Sequence, residues 1–290
     1  MNAPCSLCRT NFDLQESHIV PDFIGKWLRR TSATGYLRIG KAPNRRVQDI
    51  HKREMLCRTC EQVLSPIENK FAQNIFYPYM ERKTQAFPYE EWLRKFCISL
   101  QWKMAMHNKL EDNEYKGLTS ELSQKVDACL NIWAKYLLGQ SDYPGPSDHH
   151  LFFCDATENV GELFYHKNLN WYLMRAIDMD LVSNAKSVTA YVKIPGMIFW
   201  SPIHPPTEKG VWKGTWVYEK GTLRPPQIIK SYAFPDFLQD RVKVTMAQFE
   251  SMSAKQQART SLLMQKDPIR VMNSESYKIF LADKALRKNK

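Results

Sequence analysis

The sequence predicts an α+β fold, in which helices and strands occupy separate stretches of the chain. Apolar residues recur at helical spacing between residues 88 and 138. After Gly139 proline and glycine become frequent, and the pattern changes to short β-rich runs. With 290 residues, of which 43% are hydrophobic, the chain is long and apolar enough for a sizeable core. This composition excludes a disordered chain.

The first feature along the chain is a pair of cysteines, Cys5 and Cys8, whose spacing is repeated by Cys57 and Cys60. Each pair presents two thiolates from one tight turn, which suits a tetrahedral Zn²⁺ ion about 2.3 Å from each sulfur. A redox Cys-x-x-Cys is the alternative, but two copies without a βαβ pattern argue against it. The odd total of seven cysteines argues against a disulfide framework. The remaining cysteines have apolar neighbours and are predicted to be buried thiols: Cys97, Cys129 and Cys154.

The 48 residues between the two pairs are predicted to form a strand, a long basic loop and a second strand. The first strand covers residues 15–21, where a proline ends it, and the second covers residues 47–56. A helix is expected after the second pair. Because Pro66 suits a first helical turn, this helix is predicted to begin at Ser65, with Glu68 as its capping partner.

The loop at residues 27–46 is the candidate nucleic-acid-binding element. Trp27 and Tyr36 are interleaved with its basic residues, and its Ser and Thr hydroxyls are donors for phosphate oxygens. A solvated charged loop is the alternative. No base-reading motif is visible, so no sequence specificity is predicted. The six basic residues are Arg29, Arg30, Arg38, Lys41, Arg45 and Arg46.

The net charge of +11 is unevenly distributed along the chain. Residues 1–83 and residues 251–290 each carry +6, whereas the residues between them carry −1. Two basic ends around a neutral middle are typical of a protein that binds a polyanion. Ordinary solubility is the alternative explanation, and composition does not decide between the two.

In their order along the chain, these motifs resemble those of the HNH endonucleases, the ββα-metal group. That family has a Cys-x-x-Cys pair, a strand with a His followed by Ile and Pro, a central Asn, and a second pair followed by His or Asn. Here the first pair precedes His18-Ile19-Val20-Pro21, and the second pair is followed by Glu61. The resemblance covers about residues 1–75. It implies a zinc-stapled ββα-metal domain that hydrolyses DNA with a divalent metal.

The resemblance also implies roles for individual residues. His18 is expected to be the general base that takes a proton from water. Glu61 stands where the family's last residue binds the catalytic Mg²⁺ or Mn²⁺, and a carboxylate suits such a cation. Asp49 and His51 are the nearest candidates for the role of the central Asn, and Asn44 is further away.

Two departures from the family pattern leave the activity open. Ser17 stands where the family usually has a metal-binding Asp or His, and the loop before the second cysteine pair is longer than usual. Either the metal is bound by Glu61 with help from Asp49, His51 or Glu68, or the domain has lost its activity. An inactive domain would be a zinc-stabilised nucleic-acid-binding module.

Residues 76–290 are expected to form a mixed α+β domain for recognition or assembly, joined to the first domain by a helical connector at about residues 67–107. Its remaining elements are predicted from helical periodicity and from β-rich runs. Helices are expected near residues 67–81, 88–107, 118–138, 236–251 and 274–288, and strands at residues 151–154, 171–174, 188–193, 197–200 and 211–218.

HNH domains fused to such regions resemble bacterial restriction and phage-defence effectors. This analogy implies a cytoplasmic antiviral nuclease that acts on DNA and contacts a partner protein or an activating ligand through residues 76–290. A larger assembly or a homo-oligomer is expected. A structural subunit of a larger complex is a further alternative. Since no stretch approaches the roughly 20 apolar residues of a membrane span, no membrane association is expected.

Overall fold

The N-terminal elements are arranged around the two cysteine pairs. The computed structural model describes residues 3–111, 115–155, 167–207, 209–230 and 234–288. The first elements are β1 (Leu14–His18), α1 (Asp22–Arg30), β2 (Leu37–Ile39), β3 (Ala42–Val47), β4 (Lys52–Cys57) and α2 (Arg58–Phe71). β1 pairs antiparallel with β4, with His18 opposite Lys52, and β2 pairs with β3. The two predicted strands and the helix are therefore present, but the predicted loop at residues 27–46 contains the last four residues of α1 and nearly all of the β2–β3 hairpin.

Helix α2 begins seven residues earlier than predicted, at Arg58. The prediction for its start was wrong, because β4 leads directly into the second cysteine pair and this pair turns the chain into the helix. Pro66 lies inside α2 on its exposed side, where water can reach the carbonyl that the missing N–H leaves unpaired. Glu68 is not a capping partner of Ser65; it forms an ion pair with Lys103.

Helix α4 is the central element of the molecule. α2 continues through a π-helical turn at Ala72–Phe76 into α3 (Tyr77–Met80), and a short strand precedes α4. The next elements are β5 (Phe87–Tyr89), α4 (Glu91–Glu111) and α5 (Ser120–Leu137). α4 is buried over most of its length and packs against α2, α5 and the large sheet. The predicted helices near residues 88–107 and 118–138 are confirmed.

The large sheet is antiparallel and has four strands. Its strands and the one helix described between them are β6 (His150–Phe153), α6 (Leu169–Arg175), β7 (Asp178–Ser183), β8 (Val188–Ile194) and β9 (Met197–His204). In the sheet the strands lie in the order β6-β9-β8-β7. Three of the predicted strands are confirmed as β6, β8 and β9. The strand predicted at residues 171–174 is wrong, because these residues lie in α6. Asp283 accepts hydrogen bonds from the backbone N–H groups of Asn170 and Trp171, both 2.9 Å long, and so caps this helix from a distant part of the chain.

The C-terminal elements are three short strands and four helices. They are β10 (Val211–Lys213), β11 (Gly221–Leu223), β12 (Ile228–Lys230), α7 (Phe234–Glu250), α8 (Ala254–Lys266), α9 (Pro268–Asn273) and α10 (Glu275–Lys288). The helices predicted near residues 236–251 and 274–288 are confirmed. The strand predicted at residues 211–218 is shorter than expected and ends at Lys213, where Gly214 takes a positive φ of 78°.

One hydrophobic cluster connects the N-terminal elements to the rest of the chain. It contains buried residues from Cys5 to Leu223, among them Leu64 of α2, Phe96 of α4 and Val192 of β8. A second cluster gathers apolar residues of α6, β9 and α7. The predicted domain boundary near residue 75 stays a prediction. None of the described helices is long and apolar enough to cross a bilayer.

Candidate functional site

The four cysteines of the two pairs come together in the fold. The sulfurs of Cys5, Cys8, Cys57 and Cys60 all lie within 4.8 Å of one another. The Sγ atoms of Cys8 and Cys57 are 3.8 Å apart. Two sulfurs that are each bonded at about 2.3 Å to one tetrahedral ion are separated by roughly this distance. The cluster is therefore compatible with the predicted structural zinc.

Hydrogen-bond donors surround these sulfurs. The backbone N–H of Cys57 donates to Sγ of Cys5 over 3.2 Å, and the hydroxyl of Thr10 donates to Sγ of Cys8 over 3.3 Å. The side-chain amide of Asn11 donates to Sγ of Cys57 over 3.5 Å. Donors placed around sulfur stabilise thiolates, which are the form that binds zinc.

The pKa values of these cysteines agree only in part with four thiolate ligands. Burial raises the pKa of the Cys8 thiol, but hydrogen bonds from Thr10, from the Asn11 backbone and from Cys5 outweigh burial and lower it to about 6. Burial raises the pKa of Cys5 and of Cys60. The positive charge of a metal ion is therefore what would make thiolates of Cys5 and Cys60. All seven cysteines of the chain are free thiols.

A second cluster forms where β1 ends. His18 is the last residue of β1, Asp22 is the first residue of α1, and Asp49 lies in the turn before β4. Nε2 of His18 is 3.0 Å from Oδ1 of Asp49 and 3.9 Å from Oδ1 of Asp22. The sequence suggested Asp49 as one of two candidates beside His18, and the structure places it there. Sequence reasoning missed Asp22, because His18 ends a strand and Asp22 begins a helix, so no regular spacing relates the two residues.

Asp49 is held by several donors. It accepts hydrogen bonds from the Ile50 backbone N–H over 2.8 Å and forms an ion pair with Lys52 over 2.7 Å. Burial alone would raise the pKa of Asp49, but hydrogen bonds from Lys52, His18 and Ile50 lower it to about 2. The carboxylate is thus ionised at neutral pH, and it is positioned to orient the His18 ring.

The end of β1 is anchored from the side of α4. Nζ of Lys103 donates to the carbonyl of His18 over 3.3 Å and forms an ion pair with Glu68 over 2.5 Å. Lys103 is only 2% exposed. The pair fixes the backbone that carries the imidazole. Because Glu68 is engaged here, it is not in the position of a metal ligand that the sequence suggested.

Three further residues singled out from the sequence lie outside the described cluster of His18, Asp22 and Asp49. Ser17 is buried, and its hydroxyl donates to the carbonyl of Gln15 over 3.3 Å. Among the described residues, Glu61 belongs to none of the three clusters of possible metal ligands, although one of its oxygens is buried without a partner. His51 lies next to His107 of α4 instead of His18.

The six predicted basic residues share one region but differ in exposure. Arg30, Lys41 and Arg45 are exposed. Arg29 donates to the carbonyl of Gln48 over 2.9 Å, Arg38 donates to Thr260 of α8 over 2.7 Å, and Arg46 lies over the ring of Tyr36. Trp27 is buried, so the predicted interleaving of exposed aromatic and basic side chains is wrong at this position. Trp27 instead packs in the core beneath the guanidinium of Arg175.

The His18 cluster combines groups that suit hydrolysis. An imidazole beside a carboxylate can take a proton from water, and two carboxylates provide the oxygen ligands that hard divalent cations prefer. No family model, no curated protein and no solved structure matches this chain. The chemistry of the cluster therefore rests on its own residues.

Proposed function

We propose that this chain is a divalent-metal-dependent endonuclease that hydrolyses phosphodiester bonds of DNA. The single observation that carries the proposal is the 3.0 Å contact between His18 and Asp49 at the end of β1. The partner strand β4 leads directly into the four-cysteine cluster, so a structural zinc would hold the strand pair on which the imidazole lies. This arrangement supports the resemblance to HNH endonucleases that the motifs suggest.

In the proposed reaction His18 takes a proton from the water that attacks phosphorus, and Asp49 orients the ring and stabilises the imidazolium that forms. Asp22 replaces Glu61 as the carboxylate proposed to hold Mg²⁺ or Mn²⁺, because one of its oxygens lies within 4.8 Å of the His18 imidazole and of the Asp49 carboxylate, where the attacking water would be. A bound cation would offset the negative charge of the phosphate and of the leaving oxygen.

The exposed basic side chains support a role in holding the DNA backbone. Arg30 ends α1, and Lys41 and Arg45 lie on the β2–β3 hairpin, so all three come from the segment between His18 and Asp49. Such contacts contribute affinity without sequence specificity, and their contribution falls as salt rises. Lys41→Ala is expected to weaken DNA binding at low salt and to reduce its salt dependence.

The test is plasmid cleavage in Mg²⁺ or Mn²⁺ by the wild type, His18→Ala and Asp49→Asn. General-base catalysis contributes about 10²–10⁴-fold, so His18→Ala is expected to lose at least about 100-fold in rate. Asp49→Asn is expected to lose activity as well, whereas Asp13→Asn, at an exposed residue just before β1, is the matched control and keeps full activity. Cleavage that persists unchanged in His18→Ala would exclude this residue as the base.

A zinc-stabilised DNA-binding module is the second candidate. It is favoured by Ser17, which is buried and bonded to the backbone at the position where the HNH family usually has a metal ligand. Wild-type protein that contains zinc and binds DNA but does not cut it would support this candidate. The roles in antiphage defence and in partner binding, and a purely structural role in a larger complex, stay predictions.

A further inference from the structure

A third group of possible metal ligands lies where the turn before β4 meets the last turn of α4. His51 comes from the turn, and His107 and Glu111 come from the helix. The ring centroids of His51 and His107 are 4.7 Å apart. One nitrogen from each ring and one carboxylate oxygen all lie within 4.8 Å of one another. This group is separate from both the cysteine cluster and the His18 cluster.

The helix places two of these ligands on the same face. His107 and Glu111 are four residues apart in α4, a spacing that brings side chains next to each other one turn apart. A Zn²⁺ ion about 2.0–2.2 Å from each donor would separate the donors by roughly 3.3 Å. The side chains must therefore approach by at most roughly 1.5 Å. His51 and Glu111 are both exposed, so rotation of their side chains can supply this movement.

Neighbouring groups orient these ligands but leave donor atoms free to bind a metal ion. Arg53 of β4 forms an ion pair with one oxygen of Glu111 and also donates to the carbonyl of Leu110 over 3.2 Å. Such a partner orients a ligating carboxylate while its second oxygen stays available. Nδ1 of His107 is buried and has no hydrogen-bond partner in the described part of the chain.

We infer that His51, His107 and Glu111 form a further metal site, which takes a borderline divalent cation such as Zn²⁺. Two imidazoles and one carboxylate are a ligand set that zinc and its neighbours in the first transition series accept, whereas Mg²⁺ prefers a set made of oxygen atoms. Three protein ligands leave a coordination position for water or another small ligand. The inference does not depend on nuclease activity.

The site would connect the turn before β4 with α4, and both of these contact the backbone at the end of β1, where His18 lies. His51 follows Asp49 by two residues, and its carbonyl accepts a hydrogen bond from the Ile19 backbone N–H over 3.3 Å. α4 carries Lys103, which holds the carbonyl of His18. A cation bound between the turn and α4 would therefore hold Asp49 and His18 in a fixed relation, and it would stabilise the folded chain by mass action.

The experiment is a Co²⁺ titration of the purified full-length protein whose cysteine cluster is filled with zinc. We expect one equivalent of Co²⁺ to bind with visible absorption bands of nitrogen and oxygen ligands and without a sulfur-to-metal charge-transfer band. Zn²⁺ is expected to displace this Co²⁺. His51→Ala is expected to weaken binding at least ten-fold, and since His51 is exposed, this variant is expected to fold.

Two controls make the result specific. Glu111→Gln is expected to weaken binding, whereas Glu54→Gln, at an exposed carboxylate of β4, is expected to leave it unchanged. Asp22→Asn is also expected to bind Co²⁺ as the wild type does. The inference fails if Co²⁺ binding survives His51→Ala unchanged, if Asp22→Asn rather than His51→Ala abolishes it, or if no Co²⁺ binds beyond the cysteine cluster.

Discussion

At the scale of single residues, two buried lysines of this molecule differ in the groups that accept their hydrogen bonds. Lys103 is almost fully buried but has the carboxylate of Glu68 at 2.5 Å. Lys193 of β8 is completely buried and donates to the backbone carbonyls of Tyr172 and, over 2.7 Å, of Ala176. Carbonyl oxygens compensate less for lost hydration than a carboxylate does. Burial accordingly lowers the pKa of Lys193 to about 7.

This shift predicts a pH dependence of the free energy of unfolding. Below pH 7 Lys193 is protonated in both states, and the cost of the buried charge is fully present. Between about pH 7 and the ordinary lysine pKa of about 10.4 the unfolded chain binds more protons, so stability rises with pH, by up to about 1.4 kcal/mol per unit. Lys193→Met is expected to remove this contribution.

The measurement is urea unfolding of the wild type and Lys193→Met at several pH values between 6.5 and about 9.5. The difference between the two curves is expected to shrink as pH rises, because the variant has no buried ammonium to neutralise. Lys186→Met, at an exposed lysine in the turn before β8, is the control and is expected to follow the wild type. Parallel curves for Lys193→Met and the wild type would contradict the prediction.

At the scale of elements, the N-terminal strand pair depends on the cysteine cluster. A two-stranded sheet is marginal in water by itself, and β1 and β4 pair only with each other in the described sheets. The cysteines lie before β1 and at the junction of β4 with α2, so a metal bound to them closes this unit. The unit carries His18, which makes its stability a condition for the proposed activity.

We predict that the purified protein holds one zinc ion at these cysteines and that Cys57→Ser loses it. If the free energy of unfolding falls by about 4 kcal/mol without the zinc ion, the midpoint of thermal unfolding falls by roughly 10 °C in a chain of this size. Zinc content by elemental mass spectrometry and the unfolding midpoint check the prediction. Cys154→Ala, at a cysteine outside the cluster, is expected to keep its zinc, and a zinc-free wild type would refute the assignment.

At the scale of the whole molecule, the C-terminal helices lie against the N-terminal elements. Arg175 of α6 donates to the carbonyl of Leu28 over 2.8 Å, and the Ala33 backbone N–H donates to the hydroxyl of Ser276 of α10 over 2.8 Å. Asn44 of β3 accepts from the backbone of Ser253 over 2.9 Å. These hydrogen bonds join α6 and the C-terminal helices to the N-terminal elements, and the first hydrophobic cluster joins the N-terminal elements to α4 and the large sheet.

This coupling predicts that the chain unfolds in one cooperative step. We expect calorimetry to give a single transition, and we expect this whole transition to move to lower temperature when a chelator removes zinc. The reason is that the cysteines belong to the same hydrophobic cluster as α4 and the sheet. Two separate transitions, of which only one responds to the chelator, would show instead that residues 1–75 unfold independently, as the predicted domain boundary implies.

The features that depend on local spacing were predictable from the amino-acid sequence alone. The two Cys-x-x-Cys pairs predicted one metal cluster, since each pair needs only a tight turn to present two sulfurs. α4 and α5 were predictable because their apolar residues recur with the helical period over five turns or so. β8 and β9 were predictable because their β-branched and aromatic runs are bounded by turn residues.

The contacts between distant side chains were not predictable in this way and became visible only in the folded chain. Asp49 lies 31 residues after His18 in the chain, and the capping of α6 by Asp283 spans 113 residues. The sequence suggested His51 only as a candidate for the site of His18, and packing of the turn against α4 placed it beside His107. Local spacing carries no information on such contacts, because they form only when long loops close and distant elements pack together.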